Sequence, residues 1–335
     1  MLPEPSSLLE ARGLVREFDL PGRGLFGPRK FLTAVSDVSF AIRRGEILGL
    51  VGESGSGKTT IGRMVMRLLD PTRGQVFFDG FDLTALKGRQ LRQQRRRFQM
   101  VFQDPYASLN PRMRVGEIVG EPLLIHDLAH SPAERRERVA RLFERVGLSS
   151  HDLDRYPREF SGGGRQRVGI ARAIACAPDL LVADEPIASL DLSIGAQIIN
   201  LFASLNETER MSILFISHDL SVVRYLSDRV VVLYRGRAVE SGPTPEVLTN
   251  PAHPYTRLLV GRDQAVPVEP RNGESVSSGL CPFLSRCPDA LPVCREVAPE
   301  HFVNDGGGRD VVCHLAARQV LWTPSSSSPS IQGIV

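Results

Sequence analysis

EILGLVGESGSGKTT, residues 46–60, runs an apolar strand into a glycine loop and out into a helix. Gly52, Gly57, Lys58 and Thr59 fit the spacing G-x-x-x-x-G-K-[ST]. Glycines so spaced let backbone N–H groups wrap a phosphate, and the following helix points its positive end at the same anion. Lys58 offers a charge to the β- and γ-phosphates, and Thr59 a hydroxyl to Mg²⁺. Ser54, Gly55 and Thr60 complete the expected nucleotide-binding loop. The competing reading is a glycine-rich turn that happens to carry lysine. A strand before it and a helix after it count against that.

A second stretch, SGGGRQRVGIARAIACAPDLLVADEPIASLD (161–191), supplies the partner chemistry. Asp184 ends the apolar run LLVA, where a carboxylate can hold Mg²⁺ through water. Glu185 follows and can polarise an attacking water as general base or orienting group. A pair of solvated acids at a strand end is the bland alternative. Gln103, after FQMVF, carries an amide that can ligate Mg²⁺ or orient water. Ser161, Gly162 and Gly163 open a helix and form a second anion-binding N-terminus. One chain does not need two such devices for one triphosphate. The sensible geometry is a head-to-tail dimer, each γ-phosphate held between the Lys58 loop of one chain and the Ser161 turn of the other.

The surroundings suit an α/β enzyme. Strand-like runs recur at 180–184, 212–217 and 229–234, separated by helical spacing at 192–210, which implies a mostly parallel sheet. Ligands sit at the C-terminal ends of such strands, where Gly52, Asp184 and His218 fall. Residues 8–18 read as an edge strand. A basic segment at 22–35 precedes the strand VSFAI (38–42). Residues 89–164 are Arg-rich, with helical periodicity at 133–147, and read as a helical insertion in a core formed by 1–88 and 165–260. The run Arg92, Arg95, Arg96, Arg97 reads as a solvated helix face. Residues 261–320 form a small Cys-containing extension, and 321–335 a tail expected to be disordered.

The chain has 335 residues, 42% apolar and 24% charged, as in an ordinary globular protein. A net charge of +3 makes no case for nucleic acid. No apolar run reaches the roughly 18 residues that span a bilayer. MLPEPSSLLE has neither the charged nor the apolar region of a secretory signal, so a cytoplasmic location is expected.

These motifs, in this order over residues 1–245, resemble the ABC transporter nucleotide-binding family. The resemblance implies a P-loop (RecA-like) fold with an antiparallel N-terminal β region and a helical subdomain. It makes Ser161–Gly164 the signature turn, Ala188–Asp191 the D-loop and His218 the switch histidine that reaches the γ-phosphate. Phe18 falls where the family stacks an aromatic on adenine, with a core phenylalanine as the competing reading. QDPYASLNPRMRVGEIVGEPL (103–123), SHDLSVVRYLSDRVVVLYRGRAVESG (217–242) and NPAHPYTRLL (250–259) are similar to ATPase subunits of dipeptide and oligopeptide importers. That likeness implies a second ATPase subunit, two transmembrane permeases contacted near 103–123, and an extracytoplasmic solute-binding protein. It places the chain at the cytoplasmic face of the membrane, with no direct nucleic-acid partner. Importers of nickel or glutathione-like solutes, and soluble ABC ATPases acting on nucleic acid or ribosomes, are the alternatives. The sequence departs from the family at Gly164, where glutamine is usual, and at ASLD (188–191), where SALD is usual.

Cys281, Cys287, Cys294 and Cys313 cluster in the extension, and Cys176 reads as core. Four thiolates can close on a [4Fe–4S] cluster or a tetrahedral zinc, or remain unliganded or disulfide-bonded. The resemblance to peptide-importer ATPases implies the [4Fe–4S] cluster.

Overall fold

The computed structural model describes residues 7–20, 30–261, 280–304, 308–316 and 323–324. Most of the basic segment and most of the 321–335 tail lie outside them. The chain opens with β1 (Ser7–Leu20) and β2 (Lys30–Arg43), then β3 (Ile47–Val51) and α1 (Lys58–Val65) on either side of the glycine loop. β4 (Arg73–Phe78) and β5 (Phe81–Asp82) return to β1 and complete an antiparallel sheet ordered β2-β1-β4-β5. β1 is therefore an interior strand rather than the edge its weak alternation suggested.

Next come α2 (Gly88–Arg95), β6 (Phe98–Val101), and the helices α3 (Pro105–Ser108), α4 (Val115–Ile125), α5 (Pro132–Arg145) and α6 (Gly162–Ile174). β7 (Leu180–Asp184), α7 (Leu192–Glu209), β8 (Ser212–Ser217), α8 (Leu220–Leu226), β9 (Arg229–Tyr234) and β10 (Arg237–Pro243) follow. The chain continues with α9 (Thr244–Thr249), α10 (Pro254–Leu259), β11 (His301–Asn304), β12 (Arg309–Val312) and β13 (Thr323–Pro324). The large sheet runs β13-β11-β12-β10-β9-β3-β8-β7-β6, with the five strands from β9 to β6 parallel.

One boundary differs from the sequence reading. β6 lies inside the 89–164 stretch, yet it pairs with β7 at the sheet edge. α2 precedes it in this stretch, and the run of helices that follows it begins at Pro105. Within the C-terminal extension, β12 pairs antiparallel with β10 and continues the large sheet.

The parallel strands are covered on both faces, which is why they read as apolar runs rather than alternating patterns. Ile47, Val51, Leu181, Ala183, Ile213 and Phe215 face one core, packed by α4, α5, α6 and α7. Leu48, Leu50, Leu180, Val182, Leu214 and Ile216 face the other, against α1 and the antiparallel sheet. Buried on both sides, the sheet is a rigid base, and its carboxyl ends fix the loops that carry the polar residues.

Candidate functional site

The glycine loop between β3 and α1 is held tightly. Gly57 has φ +103°, and a Cβ on it would lie 2.6 Å from the Ala34 carbonyl oxygen. A Cβ on Gly52 would lie 2.2 Å from that of Leu233. Both positions therefore require glycine. α1 starts without a side-chain cap and with no acidic residue in its first turn. Its leading N–H groups are left for an anion. Ser56 is 3% exposed, and its hydroxyl has no hydrogen-bond partner. What fits a phosphate here is the uncapped first turn of α1 behind a glycine loop that leaves no room for side chains at Gly52 and Gly57.

Lys58 is buried, and its ammonium donates to the carbonyls of Gly52 at 2.8 Å and Glu53 at 3.0 Å. Burial pushes its pKa down, opposed by Glu185 and Asp184. The Thr59 hydroxyl donates to Asp184 Oδ1 at 3.0 Å. Asp184 is 2% exposed, and burial raises its pKa, opposed by the Thr59 bond. A buried carboxylate beside a hydroxyl, in a site that disfavours its own charge, is a donor pair suited to Mg²⁺.

Glu185 is the hub. Its φ is +45°, a left-handed conformation that costs a glutamate about 1–3 kcal/mol. Its N–H donates to the Ile216 carbonyl at 2.9 Å, which fixes the strained turn against β8. Lys58 Nζ lies 4.0 Å from one carboxylate oxygen. His218 Nδ1 lies 3.3 Å from the other, and the Gln103 amide donates to that same oxygen at 3.4 Å. Glu185 is only 15% exposed, whereas His218 is 59% exposed. Three of the residues singled out from sequence thus surround a fourth.

The Ser161 turn stands elsewhere. Ser161 caps α6, accepting from the Gly164 N–H at 3.2 Å. Ser161, Gly162 and Gly163 line a cleft with Gln103 and the Ala188–Asp191 segment, and no residue of the 52–60 loop lines it. Ser54 and Gly55 are exposed at the loop tip, and Thr60 is half-buried on α1. Phe18 is half-buried rather than core, with the Arg16 guanidinium 4.7 Å above its ring.

Cys281, Cys287, Cys294 and Cys313 line one pocket, and none is in a disulfide. Burial pushes Cys287 up to about 11 and Cys313 up to about 12, with the neighbouring thiols adding to it. Without a bound cation these groups stay neutral at pH 7. The pocket holds about 20 Å³, room for a water-sized body. Among the described residues no group of three or more His, Cys, Asp or Glu side chains is placed to hold a metal ion. The donor chemistry of the expected [4Fe–4S] site is present, but the space for it is not open as these side chains pack. Cys176 is buried as expected, its thiol pushed up to about 11 by burial.

Sequence reasoning missed Glu53, Tyr255 and Arg286. The Glu53 N–H donates to the Tyr255 hydroxyl at 3.0 Å. Arg286 donates to both Glu53 carboxylate oxygens, at 3.0 and 3.1 Å. The only signals were the glutamate within GESGSGKTT and the tyrosine within NPAHPYTRLL.

An α/β sheet that presents this loop, an Mg²⁺-competent pair and a strained glutamate at one edge defines an ATP-binding cassette. The family described as "ABC transporter" matches residues 35–188, and that described as "Oligopeptide/dipeptide transporter, C-terminal region" matches residues 239–294. The chain belongs to the ABC transporter ATP-binding family. It is similar to the oligopeptide transport ATP-binding protein AppF of Bacillus subtilis, at 45% identity over 327 residues, spanning 92% of this chain and 97% of AppF. It is 49% identical over 280 residues to the B. subtilis protein OppF, spanning 82% of this chain and 91% of OppF. Among solved structures, the dimeric post-hydrolysis ATP-binding cassette MJ0796, bound to ADP and Pi, matches with a TM-score of 0.64 at 29% identity, covering 70% of this chain and 98% of that one. The chain is an ATPase that uses ATP and Mg²⁺.

Proposed function

We propose that this chain is the ATP-hydrolysing subunit of an importer of di- and oligopeptides. It works at the cytoplasmic face beneath two transmembrane permeases, paired head-to-tail with a second ATPase and fed by an extracytoplasmic binding protein. In this reading residues 52–60 bind the triphosphate, with Phe18 against adenine. Thr59, Asp184 and Gln103 serve Mg²⁺. Glu185 activates water, Gln103 orients it, and His218 reaches the γ-phosphate. Ser161, Gly162 and Gly163 hold the γ-phosphate of the neighbour. The domain division follows: a nucleotide core, a helical subdomain within 89–164, and the cysteine extension.

The observation that carries the proposal is the convergence of Lys58, Gln103 and His218 on Glu185, while the Ser161 turn lines a different cleft. A site with its phosphate loop here and its signature turn elsewhere needs a second chain. The relatives' names and the C-terminal family match support peptide as the cargo. The permease surface is supported by a groove lined by Phe102, Asp104, Ala107, Glu121 and Pro122, next to exposed Tyr106, Leu124 and Ile125. Among the described residues no helix is long and apolar enough to cross a membrane. Glu185→Gln should slow steady-state ATP turnover by roughly 10²–10⁴ while ATP still binds. Turnover equal to wild type would remove Glu185 from its role.

For the four cysteines, a [4Fe–4S] cluster is supported by the family resemblance alone, and their pocket of about 20 Å³ would have to open to take it. Absorbance near 400 nm with matching iron and acid-labile sulfide would bear this out, and zinc alone on metal analysis would end it.

A further inference from the structure

All three polar groups of Glu53, in the middle of the phosphate loop, are held. Its N–H is bound to Tyr255, its carbonyl to Lys58 and its carboxylate to Arg286. Lys58 belongs to the loop itself, but the other two partners come from far along the chain. Tyr255 is fully buried on α10 and stacks with Tyr234 at 4.5 Å and Phe283 at 5.5 Å. Phe283 is also fully buried and meets Tyr234 edge-on at 5.2 Å. It lies between Cys281 and Cys287 and lines the cysteine pocket. Arg286 immediately precedes Cys287, and its guanidinium lies 5.8 Å from the centroids of both Tyr234 and Phe283. The cysteine segment therefore touches the phosphate loop through an aromatic wedge and a two-pronged ion pair.

We propose that the Arg286–Glu53 pair, with Tyr255, couples the C-terminal cysteine module to nucleotide binding, and that Arg286 is a positioning residue for the phosphate loop. Two physical effects act in the same direction. A bidentate guanidinium–carboxylate pair fixes orientation as well as distance, so it holds the loop backbone in its phosphate-ready shape. It also neutralises a carboxylate that would otherwise sit bare in the loop that receives a triphosphate. Coupling between two sites is reciprocal, so nucleotide in the loop must also steady the module.

Four substitutions, the last held in reserve, test this in the full chain. Arg286→Gln leaves a bare carboxylate and no clamp, and should weaken Mg-ATP binding about fivefold, raising KM with kcat within about twofold. Adding Glu53→Gln to Arg286→Gln removes the charge but does not restore the clamp, and should recover part of the affinity. Hydrogen–deuterium exchange over residues 281–300 should slow on adding Mg-ATP in the wild type, but not in Arg286→Gln. Arg286→Lys keeps the charge without the fork and should fall between wild type and Gln. A melting temperature close to wild type in each variant separates coupling from misfolding. Should Arg286→Gln fail to fold, Tyr255→Phe, which deletes only the bond to the Glu53 N–H, carries the same exchange test. Equal Mg-ATP affinity in wild type, Arg286→Gln and the double variant would overturn the proposal. So would an exchange pattern in 281–300 that ignores nucleotide in the wild type. A wild type that binds no ATP at all would instead indict the nucleotide site.

Discussion

Gly164 shows what one missing side chain does. It occupies the third position of α6, where glutamine in the family pattern would reach back to the N–H of the Ser161 cap. Here Ser161 caps Gly164 without that return bond. An alanine would gain about 1 kcal/mol by helix propensity. However, its Cβ would stand 3.0 Å from a ring carbon of Phe160 and 3.2 Å from the Phe160 Cβ. The two effects nearly cancel, so Gly164→Ala should shift stability by less than ~0.5 kcal/mol in denaturant unfolding. His253 behaves differently. It is 1% exposed, and its Nδ1 accepts from the Tyr255 N–H at 3.0 Å, which leaves the proton on an unpartnered Nε2. Burial, with Arg257 adding, pushes its pKa down to about 3. The folded value lies below the unfolded one of ~6.5, so its contribution is complete above pH 6.5 and is lost as pH falls from there toward 3. His253→Asn keeps a capping acceptor and does not titrate. Its melting temperature should fall less than that of wild type between pH 7 and 4.5.

At the scale of elements, local signals carried and distant pairings did not. The strands at 46–51, 180–184, 212–217 and 229–234 were legible because a double-covered strand is apolar throughout. α5 was legible from its 3.6-residue period. The glycine-loop motif was legible because phosphate chemistry fixes its spacing within a few positions, and the family match over residues 35–188 covers it. Arg97 was not. Its run reads as a solvated face, and Arg92 and Arg96 are indeed exposed. Arg97 instead bridges Asp79 and Asp179, both at 2.7 Å, and so ties the turn after β4 to the entry of β7. No period in the sequence marks such a bridge. Arg97→Ala should cost about 1 kcal/mol, less in high salt, because the three groups are about a third exposed. A loss that does not change with salt would assign the effect to packing on the Phe78 ring, 5.0 Å away. The clamp on Glu53 escaped notice for the same reason: its partners lie 202 and 233 positions away.

At the scale of the molecule, the proposed head-to-tail pairing makes activity a property of pairs, because no residue of the 52–60 loop lines the Ser161 cleft. Glu185→Gln with Mg-ATP should elute as a dimer, and adding Ser161→Arg should return it to monomer on size-exclusion chromatography. The extension of the large sheet sets a different condition. β10 ends at Pro243, but the strand that covers its edge, β12, begins only at Arg309. Arg309 also pairs at 2.7 Å with Glu240, whose side chain is fully buried. During synthesis on the ribosome, the catalytic half of the sheet is therefore complete long before its border is sealed. Until residues 309–312 emerge, β10 offers an open row of amides and carbonyls, with a buried carboxylate lacking its counter-charge. A message truncated before that point would yield a chain that carries every nucleotide motif and still tends to aggregate.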